Sequence, residues 1–166
     1  MTAWHPLDNP VRSSLAGPHA RFAERRGRVL RYPADVPEML DLAGRTQPGP
    51  FLARTVEMGT YLGIRRGGTL VAMAGERLHP PGWTEISAVC TDESWRGLGL
   101  ASRLVQAVAA GILARGEAPF LHALATNVTA IRLYEELGFR LRRDVVFTVA
   151  RIPAARRAAP GRAGRA

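Results

Sequence analysis

Between Asp92 and Ala101 the chain reads Asp-Glu-Ser-Trp-Arg-Gly-Leu-Gly-Leu-Ala, with Gly97 and Gly99 just ahead of a run of helical spacing. Glycine lets a backbone come close to a ligand, and the first-turn N–H groups of a helix have no partner inside it. Such a junction suits an anionic pyrophosphate. The dinucleotide pattern G-x-G-x-x-G is absent and no acidic residue closes a following strand, so a Rossmann site fits poorly. Cys90 lies just upstream and offers a thiol that could carry an acyl group, but the sequence specifies no histidine partner for it. His122, alone on a strand, lines a site, assists as a base or packs. Asn127 precedes a helical run and has the side chain of an N-cap.

The elements that must position these residues are uneven in clarity. Residues 1–18 carry Pro6, Pro10, Gly17 and Pro18 and read as an irregular arm. His19–Glu24 and Arg28–Tyr32 read as short strands about Arg26-Gly27, and Ala34–Ala43 as a helix, with Pro37 in its first turn and Gly44 as its stop. Tyr61–Arg65 and Thr69–Arg77 form a hairpin about Arg66-Gly67-Gly68. A strand follows over Trp83–Thr91, then a helix in which Leu100, Leu104, Val108 and Ile112 recur at helical spacing, closed by Gly116. Pro119–Ala125 is the next strand. Asn127 opens a helix to Leu137, Gly138 ends it, and Phe139–Arg151 supplies two more strands about Arg143-Asp144.

Composition narrows the class. The 166 residues, 46% of them hydrophobic, fit one domain with a real core. The longest apolar stretch is broken by Ser102, Arg103 and Gln106, and the opening Met1-Thr2-Ala3-Trp4 lacks the pattern of a secretory signal, so a cytoplasmic chain without a membrane span is expected. A single cysteine excludes an internal disulfide framework and a cysteine-based zinc cluster, and no metal site is expected. The net charge of +9 owes much to Arg151, Arg156, Arg157, Arg162 and Arg165, in a tail from residue 153 that reads as disordered. Charge alone is therefore weak support for a nucleic-acid partner, and the tryptophans show no stacking pattern.

Two motifs together carry a resemblance. Arg96, Gly99 and Ala101 match the loop R/Q-x-x-G-x-G/A after a strand of the type Ile86–Thr91, and Asn127 with Leu133–Phe139 matches an asparagine followed by a helix ending L-Y-E-x-L-G-F. Over Tyr61–Arg151 the chain resembles the FR47-like branch of the GNAT superfamily of N-acetyltransferases. The resemblance implies an α/β fold of the α+β kind: a mixed central sheet, splayed between its two central strands and flanked by helices, spanning residues 19–152. It implies acetyl-CoA as acyl donor and a primary amine of a small molecule or peptide as acceptor, with direct attack in a ternary complex. No specific nucleic acid or membrane partner is implied, and a homodimer is compatible with it. A non-catalytic acyl-CoA-binding module is the alternative, with a basic nucleic-acid-binding domain behind it.

Site residues follow from the same resemblance. Backbone groups of Val89, Cys90 and Thr91 would pair with the pantetheine amides. The loop of Arg96, Gly97, Leu98, Gly99, Leu100, Ala101 and Ser102 would hold the pyrophosphate, and Asn127 would touch the cofactor. Tyr134 would stand near the cofactor sulfur and protonate the leaving thiolate. An alkylamine of pKa about 10.4 is almost fully ionised at neutral pH, so a base must take its proton. Glu85 is the candidate, at the interval before Arg96 that the general-base glutamate has in the histone-acetylating branch. Strand alternation places Glu85 on one face with Ser87 and Val89, about 13 Å from Val89 at about 3.3 Å per residue, which calls for a relaying water. Trp95 would anchor the loop. The region 33–59, which would shape the acceptor site, carries no motif, so the acceptor stays open.

Overall fold

The computed structural model describes residues 2–6, 27–31 and 33–148. Seven strands form one sheet: β1 (Thr2–Pro6), β2 (Gly27–Leu30), β3 (Tyr61–Arg66), β4 (Thr69–Glu76), β5 (Trp83–Thr91), β6 (Ala118–Ala123) and β7 (Phe139–Asp144). Their order across the sheet is β2-β3-β4-β5-β6-β1-β7. Only β5 and β6 run parallel, and the other adjacent strands are antiparallel. Three α-helices are described: α1 (Val36–Thr46), α2 (Leu100–Ala114) and α3 (Val128–Glu136). This is the mixed, helix-flanked sheet expected of the sequence, and no described helix is long and apolar enough to cross a membrane.

Local chemistry explains the sharpest elements. Arg66 pairs with Thr69, so Gly67 and Gly68 alone make the β3–β4 turn, both at positive φ (55° and 86°), as a two-residue hairpin turn of right-handed twist demands. Strand periodicity of two then splits the core: Leu62 and Ile64 pack toward α2, whereas Tyr61 packs toward α1 with Met39 and Leu42. The recurring positions Leu100, Leu104, Val108 and Ile112 are all buried, which seats α2 on β4 and β5.

Four expectations are corrected. Thr2–Pro6, within the stretch expected to be irregular, is a strand inserted between β6 and β7; Trp4 is buried there and its indole donates to Thr2 Oγ1 (2.9 Å). Helix α1 runs through Gly44 to Thr46, because the left-handed residue that stops it is Gln47 (φ 50°), directly before Pro48. After Gly138 one strand is described, not two: β7 pairs with β1 rather than folding back on itself, and residues 145–148 carry no strand. β6 ends at Ala123, two residues short of the expected limit. The expected strand His19–Glu24, residues 7–18 of the arm and the tail from residue 153 lie outside the described residues.

Candidate active site

The parallel ladder of β5 and β6 runs from Trp83↔Ala118 to Ile86↔Leu121 and stops. Beyond it β5 is held by β4, and β6 by β1, so the sheet opens between Ser87 and His122. A kink in β5 accompanies the opening. Ala88 sits at φ 50°, uncommon for a residue with a Cβ, and the β4–β5 register shifts between Met73 and Gly75. The kink corrects the alternation expected from the sequence. Val89 packs with Ile86 on the α2 side, while Ala88 and Cys90 join the α1-side core. An extra residue in a strand inverts the parity of all that follow, so Glu85 and Val89 do not share a face.

At the far end of β5 the chain turns into the glycine loop. Asp92 accepts a bond from Ser94 N (3.0 Å), a single turn spans Glu93–Trp95, and Arg96 Nε donates to Thr91 O (3.3 Å), tying the loop to the strand. Trp95 packs partly buried against the core beneath, under the Arg66 guanidinium. Gly97 and Gly99 have φ of 75° and 68°, and a Cβ on either would meet no neighbouring atom. Conformation, not crowding, therefore calls for glycine there. The first main-chain bond of α2 runs from Arg103 N to Gly99 O (3.2 Å), which leaves the amides of Leu100, Ala101 and Ser102 pointing out of the helix end. A backbone donor set without a side-chain cap or first-turn acid is what an oxyanion of a phosphate needs, so these residues fit the pyrophosphate of CoA.

After β6, Asn127 caps α3 by accepting from Ala130 N (3.1 Å). Tyr134, the buried residue of that helix, points into the core beside Phe139. Burial, with a smaller contribution from the Cys90 thiol, pushes its phenol up to about 12, so it keeps its proton at neutral pH. Burial likewise pushes Cys90 up to about 11 against hydrogen bonds from Thr46 and Met73, which disfavours a thiolate carrier there.

Glu85 is only 1% exposed. Arg77 Nε and Nη2 reach its two oxygens at 2.9 and 2.8 Å, and His122 Nδ1 lies 2.7 Å from Oε1. Main-chain bonds from Arg77 N to Glu85 O and from Glu85 N to Leu78 O hold the pair in register. Burial by itself would raise the Glu85 pKa. The hydrogen bonds from His122 and Arg77 outweigh it and hold the carboxyl below the usual glutamate range. An ionised carboxylate at Nδ1 fixes the imidazole with Nε2 as its free nitrogen, and the rings of Phe120 and Phe147 at 5.5 and 4.9 Å keep it edge-on.

His122 opens onto a cavity of about 270 Å³ lined also by Trp83, Phe120, Ala3, Arg142 and Arg143. Sequence reasoning did not find this cavity. Two of its walls come from β1 and β7, whose pairing joins residues far apart in the chain.

The family model for FR47-like proteins matches residues 61–148, which span the splayed strands, the glycine loop and α3. The chain belongs to the FR47-like family of GNAT N-acetyltransferases. Among its relatives, the N-alpha-acetyltransferase RimI of Mycobacterium tuberculosis is 36% identical over 83 residues, covering 48% of this chain and 51% of that protein. A crystal structure of a GNAT-family acetyltransferase from Novosphingobium aromaticivorans is 46% identical, with a TM-score of 0.73, covering 86% of this chain and 61% of that one. The FR47-like chain thus spans about half of the curated relative's length and about three fifths of the solved one. An aminoglycoside N-acetyltransferase in complex with CoA shares the fold at 16% identity and a TM-score of 0.62, covering 76% of this chain and 99% of that one.

Proposed function

We propose that this FR47-like protein transfers the acetyl group of acetyl-CoA to a primary amine, in the cytoplasm, by direct attack in a ternary complex. The observation that carries the reading is the opening of the sheet past Ile86 and Leu121, with the Glu85–His122 pair beside its edge and Tyr134 in the core cluster that Val89 packs against. The outward amides of Leu100, Ala101 and Ser102 and the cradle of Gly97 and Gly99 would hold the pyrophosphate, and the backbone of Val89, Cys90 and Thr91 would meet the pantetheine. Bound acetyl-CoA supplies a thioester carbonyl open to attack.

The chain's own residues manage two protons. Glu85 is buried and bonded to Arg77 and His122, and of the three only His122 lines the cavity. We therefore assign it to positioning: it orients His122, whose Nε2 takes the proton from the attacking amine. As the N–C bond forms and the C–S bond breaks, the Tyr134 phenol gives a proton to the departing sulfur. A panel of amines assayed for free thiol release from acetyl-CoA tests the reading. Acceptor-dependent release with at least one amine is expected, and none across a broad panel would sink it.

A further inference from the structure

Two consecutive arginines on a regular strand point to opposite faces of a sheet. Arg142 and Arg143 do not: both line the cavity beside His122. The cause is a bulge in β7. Its register against β1 passes from Ala3↔Arg143 to Trp4↔Leu141, so Arg142 is the extra residue and both guanidinium groups turn to one side. Ala3 is also the partner of His122 across β1 and β6. His122, Ala3 and Arg143 therefore stand in one row of neighbouring strands, with the smallest side chain in the middle. At about 4.8 Å per strand, the two outer Cα atoms are about 10 Å apart, a gap that an arginine side chain reaches across.

Charge sharpens the picture. Neither Arg142 nor Arg143 joins an ion pair among the described residues; Arg142 lies over the Trp83 ring at 5.8 Å. No carboxylate lines the cavity among the described residues. Glu85 behind it is already matched by Arg77 and His122, and Asp144 stands one position further on, opposite Thr2. The remaining wall is aromatic, with Trp83 and Phe120 edge to face at 6.4 Å.

We propose that this cavity is the acceptor subsite and that it selects a primary amine bearing a carboxylate on an apolar or aromatic body, such as an aromatic amino acid. The amine sits at His122 Nε2, the carboxylate takes Arg142 and Arg143 above Ala3, and the body lies along Trp83 and Phe120. A polycationic amine meets two unpaired guanidinium groups and is rejected. The assignment rests on the transfer reading above, and direct binding measurements separate the two.

The test uses the full chain with phenylalanine, phenethylamine and spermidine as acceptors, and calorimetry of N-acetylphenylalanine in the presence of CoA. We expect kcat/KM for phenylalanine to exceed that for phenethylamine about tenfold or more, since a charge-assisted pair is at stake, with spermidine poorest. The double variant Arg142→Ala, Arg143→Ala should bring the ratio to about one by raising KM for phenylalanine, and Arg143→Lys should restore part of it. Acetylation of spermidine or phenethylamine in preference to phenylalanine would overturn the subsite while leaving the transfer reading intact. Should no amine release thiol, the transfer reading falls and calorimetry decides: N-acetylphenylalanine binding lost in the double variant upholds the subsite, and no binding overturns it.

Discussion

At the scale of single residues, the site is a division of labour set by environment. Tyr134 and Glu85 are both buried, yet burial protects the proton of one and the neighbours Arg77 and His122 strip it from the other. A phenol raised to about 12 can serve only as a donor near neutrality. Tyr134→Phe keeps the ring that packs on Phe139 and removes the donor. We expect turnover to fall about 100-fold, the lower end of acid–base contributions, with acetyl-CoA affinity nearly unchanged. Stopped-flow single-turnover assays beside calorimetry check both halves; unchanged turnover, with chemistry limiting, would remove the acid role.

At the scale of elements, the turn from β5 into α2 concentrates the donor amides. Gly99 is the N-cap of α2 and takes a left-handed conformation with open space where a side chain would go. Gly99→Glu strains that backbone and sets a negative charge at the helix start, so acetyl-CoA affinity should drop by at least tenfold in calorimetry while the far-UV spectrum is retained. Unchanged affinity would place the pyrophosphate elsewhere. This element was readable because its cause is local: the glycines and the apolar spacing of Leu100 to Ile112 lie within one stretch. The hairpin at Gly67-Gly68 and the strand Trp83–Thr91 were legible for the same reason. The kink at Ala88 was not, since nothing about an alanine announces a left-handed φ. The bulge at Arg142 was hidden too, because a strand's register depends on a partner that its own sequence does not name. Hence the glycine loop could be nominated from its residues and Tyr134 from the family motif around it, whereas the relation of Glu85 to His122 and the arginine-lined cavity needed the sheet.

For the molecule as a whole, the Arg77–Glu85–His122 cluster, built on the buried Glu85, couples the site to stability. Glu85 has a folded-state pKa below its unfolded value, so its stabilisation is complete above the unfolded value and is lost as pH falls through the folded one. Glu85→Gln should flatten the acid limb of stability against pH without abolishing it, because Asp35, buried yet lowered by Arg31, Arg28 and Arg65, titrates in the same direction. At neutral pH the variant should lose about 3 kcal/mol in urea unfolding, the usual cost of leaving one partner of a buried pair behind. An unaltered acid limb would show that the Glu85 carboxyl is not held below its unfolded value.

The strand that carries Ala3 also dictates when this architecture can be finished. Both of its neighbours come very late in the chain: the Thr2 hydroxyl bonds to Ala123 O across 121 residues, and the other edge waits for β7. A ribosome delivers β1 before the other described strands, and neither of its partners exists until β6 and β7 have emerged. Closing so long a loop costs entropy before any ladder repays it. The half of the sheet from β2 to β5 can assemble from near neighbours, whereas the half that frames the cavity waits for β6 and β7. Order of synthesis thus runs opposite to order of assembly for β1, and the cavity closes only once β6 and β7 are in place.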